Sequence, residues 1–208
     1  AHTPALSIVV AAPAGSLRVP RGHVYLDLLV GSHQAAGIMD AAADPADNLC
    51  RLSSLRGRTM QELSVAVADG PCNAGLAARL QRVGARVQLI DGGPLAGALA
   101  CLRSAGCDCG PDVFLGLGNA GDAIACAAAA LCLGGELQAH SPAFSGPTLR
   151  ANDIVCADDV LLIASASRSE DRLSAPRPTD GGVDIRSVVL TARSGRVRQL
   201  KRTVARPA

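Results

Sequence analysis

Short apolar runs alternate with segments of helical spacing through the middle of the chain. Residues 63–68 (LSVAVA) form a β-prone run, and residues 73–83 place Leu76, Leu80 and Val83 on one helical face. The same order then repeats, with strands expected at 86–90, 112–115 and 136–139 and helices at 95–104 and 119–131. Three successive βα units of this kind predict an α/β fold with a helix-covered, mostly parallel sheet.

The two ends of the chain carry a different pattern. Residues 5–11 and 23–30 are predicted to be two strands joined by a turn rich in proline and glycine, flanking strands of an incomplete second sheet. Residues 185–192 and 196–201 are separated by a Ser-Gly turn and predict a C-terminal hairpin. This organisation predicts two regions, a partial N-terminal sheet region (1–45) and an α/β domain with a C-terminal hairpin (46–208).

Composition narrows the classes of protein that the chain can belong to. Hydrophobic residues make up 49% of its 208 residues and charged residues 18%, so the chain can form a packed core. Aromatic residues are 1% and the net charge is +2, which argues against base-stacking and against a charge-driven nucleic-acid partner. The longest apolar stretch, 123–133, is shorter than the roughly 20 residues that span a bilayer, so we expect no membrane partner.

The cysteines and histidines show no metal-binding or redox spacing. None of the eight cysteines forms a CxxC pair, and the four histidines are scattered along the chain. The start of the sequence has no signal-peptide pattern, so we expect reduced thiols in a cytoplasmic protein.

A glycine motif follows the third strand of the repeat. Residues 116–121 (GLGNAG) match GxGxxG and lead into a helix, as a dinucleotide fingerprint would. This motif belongs to the third βα unit, however, whereas the fingerprint normally lies in the first. Asp122, in the first turn of that helix, is interpreted either as a capping carboxylate or as a ligand at the carboxyl edge of the sheet.

Two carboxylates lie at the start of the helix predicted at 47–55. Asp44 and Asp47 lie three residues apart, a spacing that could serve a metal-dependent phosphatase. Their position directly before a helix favours N-terminal capping instead.

Several segments, taken together and in the same order, resemble the class II (GlpX-type) fructose-1,6-bisphosphatases. In the third βα unit the family has a pattern close to GIGGAPEG, then an Ala-rich helix and a GGEMQ-like strand. This chain has GLGNAGDA, an Ala-rich helix and GGELQ. The matching stretches are residues 23–31, 46–52, 73–93, 112–138, 158–167 and 187–200.

The resemblance implies a metal-dependent sugar-bisphosphate phosphatase that removes the 1-phosphate of fructose 1,6-bisphosphate with Mg²⁺ or Mn²⁺. Asp122 aligns with a metal-site glutamate of the family and is the expected catalytic and metal-binding residue. The substrate-binding residues that the resemblance implies are Tyr25, Asp91, Gly92, Gly93, Gly118 and Asn119.

The chain also departs from the family pattern. The Lys-Pro-Arg phosphate contacts fall at Gly70-Pro71-Cys72, which carry no charge, and the family's Asp-Pro-x-Glu-Gly-Thr metal motif would lie upstream of residue 1. We therefore expect weak or no hydrolysis by this chain alone. Two alternatives stay open: a non-catalytic sugar-phosphate-binding or interaction protein, and a dinucleotide-binding enzyme that uses Gly116 to Gly121. An incomplete sheet would leave an apolar face uncovered, so we also expect a homo-oligomer.

Overall fold

A computed structural model describes residues 6–18, 25–35, 37–103, 110–141, 146–166, 177–179 and 182–204 of the chain. It contains two sheets and five α-helices within those residues, which confirms the predicted α/β class. Residues 167–182 are polar and contain two prolines, which predicts a loop, and this segment lies largely outside the described residues.

The described strands and helices range from 2 to 14 residues in length. The strands are β1 (Leu6–Ala11), β2 (Leu26–Gly31), β3 (Ser64–Ala68), β4 (Arg86–Ile90), β5 (Val113–Gly118), β6 (Glu136–His140), β7 (Leu149–Arg150), β8 (Leu161–Ala166), β9 (Arg177–Thr179), β10 (Gly182–Thr191) and β11 (Arg196–Val204). The helices are α1 (Pro45–Arg56), α2 (Ala74–Arg82), α3 (Pro94–Arg103), α4 (Ala120–Leu133) and α5 (Ala151–Ile154).

The first sheet is mixed rather than mostly parallel. Its six strands lie in the order β4-β3-β5-β2-β6-β7, and only the pairs β3·β4 and β3·β5 are parallel. The four strands of the repeating βα units do run in one direction, as expected. The difference arises because β2 lies between β5 and β6 and is antiparallel to both of them, and because β7 is antiparallel to β6.

The two N-terminal strands join different sheets and do not pair with each other. β2 is a central strand of the six-stranded sheet, whereas β1 pairs with β8 at the edge of the second sheet. Because β2 is almost entirely apolar, a central position lets it bury side chains on both faces. Both strands of the predicted region 1–45 therefore pair with later strands, and the boundary at residue 45 stays a prediction.

The second sheet is antiparallel and contains the predicted C-terminal hairpin. Its strands lie in the order β1-β8-β10-β11, with β9 also paired to β10. β10 and β11 are antiparallel partners from Val183↔Val204 to Thr191↔Arg196, which confirms the hairpin. Gly195 in its turn has a φ of 58°, a left-handed conformation that glycine adopts without strain.

The layers of the molecule explain the Ala-rich composition of α4. Helices α1 and α2 cover one face of the six-stranded sheet, and α3 and α4 cover the other. α4 also packs on the second sheet, against β1, β8 and β10. A helix that lies between two sheets must be apolar all round, and eight residues of α4 are buried. Alanine side chains allow both sheets to approach this helix closely.

The described helices differ from the expectation in small ways. The sequence pattern predicts neither the short helix α5 nor the two-residue strand β7, because neither is long enough to show a periodicity. Among the described residues, none of the helices is long and apolar enough to cross a membrane.

Candidate functional site

The predicted site residues gather at one edge of the six-stranded sheet. β3, β4 and β5 are parallel, so the segments that follow Ala68, Ile90 and Gly118 all leave the sheet at the same edge. β2 runs the other way, and its first residue, Leu26, pairs with Gly118. Tyr25 therefore lies at this same edge, which we call the carboxyl edge of the sheet.

Asn119 and Asp122 lie at the centre of the carboxyl edge and form a capping box at the start of α4. The side-chain Oδ1 of Asn119 accepts hydrogen bonds from the backbone N–H groups of Gly121 (2.7 Å) and Asp122 (3.1 Å). In return, Oδ2 of Asp122 accepts one from the backbone N–H of Asn119 (2.9 Å). The capping interpretation of Asp122 is therefore confirmed, and within the described part of the chain its hydrogen bond uses only one of the two carboxylate oxygens.

The half-buried position of Asp122 alters its acidity. Burial raises the pKa of this carboxyl group, and the hydrogen bond from the backbone of Asn119 opposes part of that increase. A bound cation would favour the ionised form and so strengthen the carboxylate as a ligand.

The glycine motif serves close packing around Asp122. A Cβ atom at Gly118 would lie 2.6 Å from Cδ1 of Leu28 and 2.9 Å from Cβ of Asp122. A Cβ atom at Gly116 would lie 2.9 Å from Cζ of Phe114. Both glycines belong to β5, so their spacing is explained without a dinucleotide in the loop.

The remaining predicted site residues lie on either side of this centre. Tyr25 is 53% exposed, so its ring is available to a ligand. Asp91 follows β4, and its Oδ1 accepts a hydrogen bond from the N–H of Gly92 (2.9 Å). Gly92 and Gly93 have φ values of 97° and 81°, which fix a tight turn that few other residues would adopt. Since β4 and β5 are separated by β3, this turn lies about 10 Å along the edge from Asn119.

Three polar residues at the carboxyl edge were missed by the sequence interpretation. Asp27 of β2 lies directly opposite His140, the last residue of β6, and Ser141 follows it. Burial raises the pKa of Asp27, and the charge of nearby His140 lowers it in part. The spacing of the histidines carries no signal, and only the strand register reveals the carboxylate partner of His140.

The residues that the structure describes do not assemble a metal centre. No group of three or more His, Cys, Asp or Glu side chains among them is arranged to hold a metal ion. Asp44 caps α1 by accepting a hydrogen bond from the N–H of Ala46 (2.8 Å), and it forms an ion pair with Arg79. The capping interpretation of Asp44 is thus confirmed, and Asp122 belongs to no such group among the described residues.

Comparison with known proteins identifies the family. The profile of the bacterial, glpX-encoded fructose-1,6-bisphosphatases matches residues 1–143, which is more than half of the chain. The chain belongs to this GlpX-type family. The family and its relative from Haemophilus influenzae are named as fructose-1,6-bisphosphatases.

Individual relatives support the same assignment. Fructose-1,6-bisphosphatase class 2 of Haemophilus influenzae is 31% identical over 137 residues, covering 65% of this chain and 40% of the relative. The D-fructose 1,6-bisphosphatase class 2/sedoheptulose 1,7-bisphosphatase of Synechocystis is 26% identical over 203 residues, covering 84% and 57% respectively. The protein of that name from Microcystis aeruginosa is 34% identical over 116 residues, covering 55% and 32%.

Each of these matches covers a larger share of this chain than of the relative. The chain spans between 32% and 57% of the length of these GlpX-type relatives. The activity of the whole relatives therefore cannot be transferred to this chain by similarity alone.

Proposed function

We propose that this chain carries the sugar-bisphosphate side of a GlpX-type site at the carboxyl edge, and that alone it hydrolyses fructose 1,6-bisphosphate weakly or not at all. The observation that supports binding is the common location of Tyr25, Asp91, Asn119 and Asp122 at one edge. They come from three segments that are far apart in the sequence, and their positions match those that the family resemblance implies. Open α/β sheets bind their ligands at such an edge.

We expect weak hydrolysis because groups that neutralise phosphate charge in the family are replaced in this chain. Family members neutralise phosphate oxygens with a divalent metal, which is Mg²⁺ or Mn²⁺ in our proposal, and such an ion contributes several kcal/mol to charge stabilisation. Asp122 is the residue that would contribute to holding this ion, and the described residues provide no cluster of three donors. Gly70 and Cys72 replace two cations that would contact phosphate, so part of the attraction for a bisphosphate is also missing.

The chain's own residues determine what binding would look like. The Tyr25 ring offers an exposed apolar surface and a hydroxyl, and the turn at Gly92 and Gly93 allows a ligand to approach the backbone closely. Asp122 is already oriented by the amide of Asn119. This hydrogen bond from the protein's own backbone orients the Asp122 carboxylate at the carboxyl edge.

A phosphate-release assay with purified chain, fructose 1,6-bisphosphate and Mn²⁺ tests this proposal. We expect little or no turnover, together with measurable binding of the sugar bisphosphate by calorimetry. Robust turnover that Asp122→Ala abolishes would contradict the proposed weak activity, and the absence of binding would contradict the proposed site.

Asp153→Ala provides a matched control for Asp122→Ala. Oδ2 of Asp153 accepts a hydrogen bond from the backbone N–H of Arg150 (2.8 Å), so this residue caps α5 as Asp122 caps α4. Asp153 is not one of the residues of the carboxyl edge. The control should preserve ligand binding, whereas Asp122→Ala should weaken it.

The cellular setting is a further part of the proposal. We place the chain in the cytoplasm, where its thiols stay reduced, and the six cysteines that the structure describes form no disulfide. We also propose that it self-associates, because the second sheet exposes apolar side chains on one face.

A further inference from the structure

The second sheet has one face packed on α4 and one face that no described element covers. Leu162 and Val188 belong to the core beneath α4. Because side chains alternate along a strand, Val9, Ile163 and Val189 lie on the opposite face, and the register of β1, β8 and β10 places them side by side. The uncovered face therefore has an apolar strip at its centre.

Three arginines border this apolar strip along β11. Arg198 pairs with Val189, and Arg196 and Arg202 share its face because they lie two and four residues away on the same strand. All three are exposed, and within the described part of the chain none of them forms an ion pair. The described strands of the sheet place no carboxylate on this face, so they do not balance its positive charge.

Two carboxylates lie on the β8 side of the same sheet. Asp158 and Asp159 precede β8 and are exposed, and neither forms an ion pair with a described residue. Leu161, the first residue of β8, pairs with Thr191, which in turn pairs with Arg196. The carboxylates and the start of the arginine row thus lie at the same end of the sheet, separated by two strand spacings of about 4.8 Å.

The positions of these charges distinguish two ways of stacking a second copy on this face. Closed dimers have a twofold axis. An axis across the strands stacks β11 on β11 and sets arginine against arginine. An axis along the strands stacks β11 of each copy on β1 of the other. Ile163 of one copy then faces Val189 of the other, and Arg196 comes to the end of the sheet that carries Asp158 and Asp159. Opposite charges across an interface favour association, whereas facing like charges oppose it.

The area of the face is sufficient for a dimer of this kind. Its four main strands are 6 to 10 residues long. With strands about 4.8 Å apart and about 3.3 Å per residue, the face presents about 500 Å². Two copies would bury about 1,000 Å² in total, which is near the lower limit for a specific interface. We therefore expect a dimer that dissociates on dilution.

We propose that the uncovered face of the second sheet binds a second copy of the chain about a twofold axis along the strands. β11 of each copy covers β1 of the other, and Arg196 of each copy forms ion pairs with Asp158 and Asp159 of the other. The arrangement rests on the self-association that forms part of the proposed function, and adds to it the surface, the symmetry and the ion pairs.

Crosslinking between two variants distinguishes the two stacking arrangements. Ser7 of β1 and Leu200 of β11 lie in one row of the sheet, about 14 Å apart within one chain. The Ser7→Cys chain is mixed with isotopically labelled Leu200→Cys chain and treated with a bismaleimide about 10 Å long, the usual distance between packed sheets. Peptide mass spectrometry should detect crosslinks between position 7 of one chain and position 200 of the other. Crosslinks between two copies of position 200 would overturn the arrangement but not the self-association.

Charge reversal tests the ion pairs. Arg196→Asp and Asp159→Arg each set like charges against each other, so each should raise the dissociation constant of the dimer about 10-fold in sedimentation velocity. The double variant exchanges the two charges and should return the constant to within about 3-fold of the wild-type value. Arg82→Asp on α2, which covers the other sheet, is a matched control and should change nothing. A double variant as weak as the single variants would overturn the proposed ion pairs.

The concentration dependence of the wild-type chain decides whether a second copy is the occupant at all. Sedimentation as a monomer at every concentration would overturn both the arrangement and the self-association, because the face would then be left to a different polypeptide. Binding of fructose 1,6-bisphosphate is measured separately by calorimetry and concerns the carboxyl edge of the other sheet. Failure of one proposal is therefore distinguishable from failure of the other.

Discussion

The two sheets of the molecule differ in how many of their faces are covered. The six-stranded sheet has α1 and α2 on one face and α3 and α4 on the other, so most of its central side chains are inaccessible to solvent. The second sheet is covered on one face by α4. On its other face, Val9, Ile163 and Val189 lie side by side in register, and Val9 is 57% exposed. We call this second surface the open face.

The difference between the sheets separates the edge where we propose that a ligand binds from the surface through which we propose that the chain self-associates. The carboxyl edge belongs to the fully covered sheet, so its residues are held by a packed core. The open face, by contrast, resembles a surface that another layer would bury. The fold can thus keep a binding edge in place even where a further apolar surface stays exposed.

The largest expected difference is in thiol reactivity. Burial raises the pKa of Cys101, beneath the six-stranded sheet, to about 12, so at pH 8 only about one molecule in ten thousand carries the reactive thiolate. A cysteine introduced on the open face by Val9→Cys should react at least about a thousand times faster. Peptide mass spectrometry after timed alkylation measures both rates. Similar rates would show that the covered sheet opens readily.

Core substitutions should separate the sheets by stability. Phe114 is fully buried in the six-stranded sheet, so Phe114→Ala should cost about 3–5 kcal/mol of unfolding free energy. Leu200 on β11 pairs with Ser187, two residues from Val189, so it also belongs to the open face. It is 52% exposed, and Leu200→Ala should cost less than about 0.5 kcal/mol. Denaturant unfolding of both variants provides the measurement. A large loss at Leu200 would mean that the open face is buried in solution.

The hydrogen bonds that cap α4 lie at the carboxyl edge and also stabilise this helix, which packs on the six-stranded sheet. Asn119→Ala removes the acceptor for the N–H groups of Gly121 and Asp122, so we expect a loss of about 1 kcal/mol. Thermal unfolding measures this change, and Asn119→Asp, which keeps an acceptor, should restore most of it. Equal losses in both variants would argue against the capping role.

Charged substitutions on the open face should change the stability of the single chain very little but should clearly change its self-association. Val9→Lys and Leu200→Lys place charges on the open face, where they should alter the free energy of unfolding of the single chain by about 0.5 kcal/mol or less. The double variant should nevertheless reduce self-association in sedimentation velocity. A wild-type chain that sediments as a monomer at all concentrations would contradict the role that we assign to the open face.

Local patterns predicted most of the longer elements, because a helix or strand of several residues carries its own periodicity, whereas α5 and β7 are too short to do so. The segments at 86–90 and 119–131 became β4 and α4 with nearly the expected bounds. The same patterns could not predict that β2 would lie antiparallel between β5 and β6. Which strands pair depends on contacts between distant segments, and the apolar run of β2 fits a central position in several arrangements.

In the candidate site, too, local patterns reveal some residues and strand pairing reveals others. Asp122 and Asn119 were found because they follow a strand and begin a helix, and the family resemblance drew attention to Tyr25. Asp27 and His140 are 113 positions apart by their residue numbers, and only the register of β2 and β6 brings them together. No spacing in the sequence could have indicated this pair, because strand pairing is decided by the whole sheet.

The carboxyl edge of the covered sheet is where we propose that a sugar bisphosphate binds. Backbone amide NMR spectra recorded during a titration with fructose 1,6-bisphosphate test this residue by residue. We predict shifts concentrated at Asn119, Asp122, Gly92 and the residues next to Tyr25, with none in the β10–β11 hairpin. Shifts confined to the hairpin, or no shifts at saturating ligand, would contradict binding at this edge.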